Sequence, residues 1–442
     1  MPSLKVSIVR CDSYSQDAVD AAVRRSIDHL GGIERYVKKG DRVLLKPNLL
    51  IGAAPSECVT TNPAVVVAVG RALKDLGCTI TIADSPGSFL PYTEDALRKV
   101  YEKCGMLDAA RELGAQVNFG TGSKEVLFDG GRSLKSFKAI DPVLEADAVI
   151  VISKLKTHLA TGLTGAAKNI YGVVPGLEKK AVHARLRTPD KFADAIVDLN
   201  ERLCPRLQVM DAVMAMEGDG PTSGSPKAMN AILAGTSPYA VDAVAARLVR
   251  FDPLRVTTIG AAAGRGLIDL NNIEVVGETV DSLAVPDFVL PSTFATGSSG
   301  SKLKTTIASF ISRSGLDRIR PVVSTQACVG CGSCAKSCPA GAIHIVERKA
   351  SIDRSMCIEC YCCHEMCTNK AIKLQKGAVG RMLKNAYVFF EDGSLRVKFQ
   401  LKTGGADRFG DDWHEVKLEP GKPGGKDTLS GPDEEPDEDE EK

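Results

Sequence analysis

Through the first 290 residues, short apolar runs alternate with longer stretches whose apolar residues recur every three or four positions. KVSIVRC (5–11) reads as a strand, and the polar Ser15 opens a helical stretch to about Leu30. RVLL (42–45) is a second strand. The helix after it opens at Asn62-Pro63, where proline's missing N–H and fixed φ suit the first helical position. TITIAD (79–84) is a third strand, and helical patterns cover about 93–113. DAVIVIS (147–153) is nearly all apolar, as a strand buried on both faces should be. LQVMDAV (207–213) and AMNAILAG (228–235) follow, then helices over about 238–250 and 253–265. This alternation predicts a large α/β domain over 1–290, with a mostly parallel sheet covered by helices.

Beyond that domain the pattern breaks. Residues 291–320 shift to Ser, Thr, Gly and Lys and read as a linker with one short helix. AYVFFEDGSLRVKF (386–399) proposes two strands around an Asp-Gly turn, a hairpin extension within 377–420. The Gly, Pro and acid-rich segment 421–442 reads as a disordered acidic tail, because it cannot bury enough apolar surface to offset its ordering entropy. Residues 433–442 hold eight acids and one lysine, net −7, so 1–432 carry +8 against the whole-chain +1. No dense Lys/Arg stripe interleaved with aromatics accompanies that basic body, which argues against nucleic acid as a partner. No apolar run is long enough to span a bilayer and the N-terminus alternates like a strand, so the expectation is a cytoplasmic chain with no membrane partner.

Cysteine changes the picture most. Nine of the fourteen cysteines fall between Cys328 and Cys367. Cys328, Cys331, Cys334 and Cys338 have the spacing C-x2-C-x2-C-x3-C and are followed by Pro339; Cys357, Cys360, Cys363 and Cys367 repeat it. The first three thiolates of such a run turn around one four-iron cube, and the fourth reaches the other cube. Cluster one then takes Cys328, Cys331, Cys334 and Cys367, and cluster two takes Cys357, Cys360, Cys363 and Cys338. Mononuclear zinc has no use for this crossed sharing. Cys362 breaks the register and is read as a non-ligand. Ala342-Ile343 and Ala371-Ile372 follow their runs at one shared offset, 29 residues apart, as do Val323 and Ile352 upstream. Each half is therefore strand, cluster loop, short helix, strand. Residues 321–376 resemble a bacterial-type ferredoxin with two four-iron four-sulfur clusters, a small α+β module; Thr368 departs from the pattern, where a second proline is usual.

In parallel sheets, ligands bind beyond the carboxyl ends of the strands. There this sequence places Lys46-Pro47-Asn48, Asp84-Ser85-Pro86-Gly87, Lys154, Lys156 and His158, and Glu217-Gly218-Asp219. GLTGAAKNIYG (162–172) adds Lys168 and Asn169 among small residues. The concentration of lysines at four strand ends suggests an anionic small molecule, with the acids on the rim. No phosphate-loop or dinucleotide fingerprint is present.

The motifs KPN, DSPG, KLKTH, GLTGAAKNIYG and EGDGP resemble the family known as domain of unknown function three-six-two, joined to a ferredoxin module. The resemblance spans about 5–376 and implies a cytoplasmic iron-sulfur protein of redox metabolism. Its motif positions are Lys46, Asn48, Asp84, Lys154, Lys156, His158, Lys168, Asn169, Glu217 and Asp219. The reading is an iron-sulfur electron-transfer protein whose module passes low-potential electrons to or from something held by the large domain. An enzymatic role within an oxidoreductase is left open. The alternatives are a plain carrier whose large domain docks a redox partner protein, and a redox or iron sensor.

Overall fold

The structure, a computed structural model, describes residues 4–87, 90–176, 178–294, 319–376, 387–391, 394–400 and 413–418. In chain order the large domain carries β1 (Leu4–Arg10), β2 (Arg42–Pro47), β3 (Thr79–Ile82), β4 (Gln116–Val117), β5 (Ser123–Leu127), β6 (Ser136–Ile140), β7 (Ala148–His158), β8 (Gly162–Leu163), β9 (Leu207–Glu217), β10 (Ser225–Gly235) and β11 (Ile273–Gly277). The main sheet runs β11-β1-β10-β9-β7-β2-β3-β4, with β8 paired to β7. It is mixed and mostly parallel. β1 with β10 and β10 with β9 are antiparallel, and the other junctions along the path are parallel.

Helices cover both faces, and the two hydrophobic cores divide by strand parity. On β2, Leu44 joins one core while Val43 and Leu45 join the other; on β7, Val149 and Val151 face one way and Ile150 and Ile152 the other. All eleven residues of β7 are buried, which is why its sequence shows no alternation. Helix starts follow local chemistry: Asn62 accepts the Ala64 N–H at Pro63–Asp75, and Ser237 accepts the Ala240 N–H at Pro238–Leu248. Among the described residues no helix is long and apolar enough to cross a membrane.

The ferredoxin-like module contributes β12 (Ile319–Val323), β13 (Ile343–Val346), β14 (Lys349–Ile352) and β15 (Ile372–Lys376), with β12 paired to β15 and β13 to β14. Ile319–Gln375 and Met1–Ser298 form one compact unit. The second unit contains β16 (Tyr387–Glu391), β17 (Ser394–Gln400) and β18 (Trp413–Leu418), an antiparallel three-stranded sheet. Its first two strands are those read from the sequence, and β18 was not anticipated. The Asp392-Gly393 turn, the linker helix and the acidic tail lie outside the described residues.

Candidate functional site

β3, β2, β7 and β9 are adjacent and parallel, so their carboxyl ends emerge side by side. The last residues of β2 carry Lys46, whose ammonium is fully buried and lies 2.8 Å from Oδ1 of Asp84 beyond β3. Lys46 also donates to Oδ1 of Asn169 (2.9 Å) and to the Pro47 carbonyl (2.8 Å). Asn48 Nδ2 donates to the same Asn169 oxygen at 3.1 Å, and Oδ2 of Asp84 accepts the Leu49 N–H at 2.9 Å. Burial pulls the Lys46 amine down from its usual range, and the Asp84 carboxylate opposes that pull. The knot explains one glycine of GLTGAAKNIYG. A Cβ on Gly172 would sit 1.9 Å from Asp84 Oδ1 and 2.5 Å from Lys46 Nζ, so a side chain there would displace the ion pair.

A crevice of about 740 Å³, partly open to solvent, lies against this knot. Its large-domain wall holds Lys46, Asn48, Asp84, Ser85, His158, Lys168, Asn169, Tyr171, Lys179 and His183; its other wall is the ferredoxin module, with Cys360, Cys362, Glu365 and Met366 from the second cysteine loop and Ser337 from the first. Lys179 is spoken for, donating to the carbonyls of Ser85, Pro86 and Val174 and to Ser85 Oγ. Lys168 makes no hydrogen bond or ion pair with any described residue, and burial pulls its amine down while Glu365 and Cys362 work against that. His158 accepts the Ala160 N–H at Nδ1 (3.1 Å), which puts the proton of the neutral ring on Nε2, 3.6 Å from Oε1 of Glu365. Burial pushes Glu365 up to about 7, with Lys168 and Lys156 pulling the other way. The crevice thus combines one unpaired ammonium, one imidazole N–H and one carboxyl group.

Six of the ten motif positions line this crevice: Lys46, Asn48, Asp84, His158, Lys168 and Asn169. Four do not. Lys154 and Lys156 were expected beyond the end of their strand, but β7 runs on to His158, so both sit within a buried strand. Lys154 faces Asp211 across the β7–β9 register and binds it at 2.9 Å, with the Tyr14 hydroxyl at 2.8 Å; Lys156 donates to the Val59 carbonyl at 2.6 Å. Glu217 and Asp219 are not on the rim. Their carboxylates accept the N–H groups of Val289 and Ser292, both at 2.8 Å, and hold the segment after β11 in place. Sequence reasoning missed Lys179 and His183, because EKKAVHAR shows no apolar face and reads as a solvated helix. Glu365 gives no signal in the sequence, because it reaches the crevice only through its contact with His158, distant in the chain.

The eight motif cysteines gather around two cavities. One, about 340 Å³, is lined by Cys328, Cys331, Cys334 and Cys367; the other, about 320 Å³, by Cys338, Cys357, Cys360 and Cys363. Cys362 lines neither and faces the crevice. Backbone N–H groups point at the sulfurs: Ala342 at Cys338 (3.2 Å), Ala371 at Cys367 (3.1 Å) and Ala350 at Cys328 (3.4 Å). Such donors stabilise thiolate charge, and all eight thiols are free of disulfides. Four sulfurs converging on one mostly apolar cavity are the donor set of an iron-sulfur cube.

Fold and site together define an iron-sulfur protein in which a ferredoxin-type module is packed on the ligand end of an α/β sheet. The model described as "Domain of unknown function (DUF362)" matches residues 43–247, and that described as "4Fe-4S dicluster domain" matches 320–368. The chain belongs to the DUF362 family and carries a fused 4Fe-4S dicluster domain. It is 32% identical over 269 residues to "Thylakoid-associated protein sll1697" of Synechocystis sp., covering 59% of this chain and 79% of that one. Over 48 residues it is 48% identical to a component of the ion-translocating oxidoreductase complex of Methanosarcina acetivorans, which is 11% of this chain and 18% of the relative. The cluster domain and this last likeness support an electron-transfer role. Among solved structures, the lactate racemase apoprotein of Thermoanaerobacterium thermosaccharolyticum aligns over 54% of this chain and 55% of its own at 13% identity, with a TM-score of 0.32, too low to carry an argument.

Proposed function

We propose that the protein is an oxidoreductase component with two [4Fe-4S] clusters, in which cluster two exchanges electrons with a small anion held in the crevice. The observation that carries this reading is Cys360, which lines both the second cysteine cavity and the crevice. A single side chain then separates a cluster from whatever the crevice holds. Lys168 supports the anionic character of the ligand, since its half-buried ammonium lines the crevice with no partner among the described residues, and an anion there would offset the partial desolvation. The motif residues Asn48, Asn169 and His158 would orient the ligand, and the Lys46–Asp84 pair would hold the strand ends in place. Lys154, Lys156, Glu217 and Asp219 would support the surrounding structure. Fourteen cysteines free of disulfides fit a reducing compartment, which supports a cytoplasmic setting.

The test is anaerobic purification, followed by mass spectrometry of small molecules released on denaturation. The reading expects an anion that co-purifies with the wild type and is depleted about tenfold or more in Lys168→Met, with iron content unchanged. If nothing is released, and Lys168→Met leaves the reduction potential of cluster two unchanged, the reading fails and a carrier with a docking domain takes its place.

A further inference from the structure

The two halves of the ferredoxin module are related by a 29-residue repeat, yet their surroundings differ. In the second half, Cys360 faces the crevice and is partly covered. Its counterpart Cys331 is exposed. Around Cys331 the surface is apolar: Val329 is 57% exposed and Ile345 40%. Val329 and Ile345 also line the first cysteine cavity, so these side chains stand between that cavity and solvent. Their repeat counterparts are Ile358 and Leu374, both partly covered. Two of the eight large apolar side chains most exposed among the described residues thus stand over one cysteine cavity. Isolated exposed apolar residues need no explanation, whereas a group over a redox centre does.

The rim of this edge is basic. Arg348 is exposed at the turn between β13 and β14, and its backbone carbonyl packs against Gly330 in the first cysteine loop. Lys336, on the short helix Ser333–Ser337 that follows Cys331, is exposed, and Lys349 donates to the Cys328 carbonyl at 2.6 Å. Glu347 is the acid on that turn, so these four residues sum to +2. An apolar centre with a charged rim suits a transient interface, in which charge steers the encounter and apolar contact seats it.

We infer that this edge is the port where a separate, acidic one-electron carrier protein docks and exchanges electrons with cluster one. The step moves a single electron: the reduced carrier is oxidised and cluster one is reduced, with no bond made or broken. Cluster one is then the outward end of the path and cluster two the inward end. The inference rests on the two-cluster reading and is independent of any ligand in the crevice.

The test uses the full-length chain, reconstituted anaerobically, with stopped-flow measurement of cluster reduction by a reduced plant-type [2Fe-2S] ferredoxin as the acidic probe. Reduced methyl viologen, a small cation, serves as the reference donor. At low salt the Lys336→Glu, Arg348→Asp double variant is expected to react about tenfold or more slowly with the ferredoxin, as steered association does when rim charges are reversed. Its iron content should be unchanged and its rate with viologen, a cation, should not fall. Ile345→Gln, which leaves the charge alone, should also slow the protein donor selectively, with iron content unchanged. Unchanged ferredoxin rates in both variants would overturn the inference, as would an equal slowing with viologen.

Discussion

Oε1 of Glu365 lies 3.6 Å from Nε2 of His158, so a carboxylate carried on a cysteine loop meets an imidazole at the end of a central strand. Two further contacts tie the same parts together: the Thr222 hydroxyl donates to the Glu365 carbonyl at 2.9 Å, and Lys180 donates to the Lys336 carbonyl at 2.8 Å. The crevice is therefore completed by the ferredoxin module and is not a property of the large domain alone.

Glu365→Gln preserves the shape of that contact and removes its charge. With a negative charge gone from beside cluster two, reduction becomes easier, and the potential should rise by roughly tens of millivolts. The measurement belongs at pH 8.5, where a carboxyl pushed up to about 7 is ionised. Iron content should not change. A potential that stays the same or falls would mean that Glu365 does not sense the cluster.

Crossed ligation makes a sharper prediction than iron counting. Cys338 and Cys367 each lie in one sequence run but line the cavity of the other. Cys338→Ser should therefore disturb the cluster held by Cys357, Cys360 and Cys363, and Cys367→Ser the one held by Cys328, Cys331 and Cys334. Cys362→Ser should keep about eight irons. Electron paramagnetic resonance of the reduced variants separates the cases, and loss of the same cluster in the Cys338 and Cys367 variants would contradict the assignment.

Much of the fold was legible because burial leaves a mark on the sequence. DAVIVIS reads as a fully buried strand because β7 sits at the centre of the sheet. β5 and β6 were not read, since SKEVL and SFKAI form a small two-stranded ribbon in which β5 buries only Val126 and the alternation is weak. At the site, the motif lysines were legible as a group but not individually. Lys46 and Lys154 both follow apolar runs, yet one meets an acid from a neighbouring strand end beside the crevice and the other an acid inside the sheet. That difference depends on how far each strand continues, which the local pattern does not encode. Glu365 reaches the crevice only through packing between segments about 200 residues apart in sequence.

The repeat also stores backbone strain in one half. Gly330, Gly332 and Gly341 have positive φ, and their counterparts Glu359, Tyr361 and Lys370 adopt it too, at 53°, 62° and 49°. Tyr361 has a use there, donating to the Ile319 carbonyl at 2.9 Å, and Glu359 lies 3.4 Å from Arg320. Lys370 is exposed. Lys370→Gly should therefore stabilise the module by about 1 kcal/mol, the cost of placing a side chain in the left-handed region. Tyr361→Gly should give no such gain, because the lost hydrogen bond offsets the relief. Thermal unfolding of the cluster-loaded variants checks both, and a destabilising Lys370→Gly would show that its side chain contributes a contact.

Folding stability should also depend on pH through one buried carboxyl. Asp242, on the helix Pro238–Leu248, is 1% exposed and accepts the N–H groups of Ala166 (2.6 Å) and Ala167 (3.0 Å) beside Lys168. Burial pushes its carboxyl up from 3.8 to about 7, and the two N–H groups oppose the shift only in part. A raised acid binds its proton more tightly in the folded chain than in the unfolded one. Stability from this residue is therefore fully present below about pH 4, and is lost progressively as pH rises to about 7. Between pH 5 and 7 the loss should be roughly 2 kcal/mol. Asp242→Asn cannot titrate, so the difference in stability between variant and wild type should shift in the variant's favour by that amount across the same interval. Denaturant unfolding at pH 5, 6 and 7 measures it directly. A difference that does not vary with pH would show that the two backbone donors hold Asp242 ionised throughout.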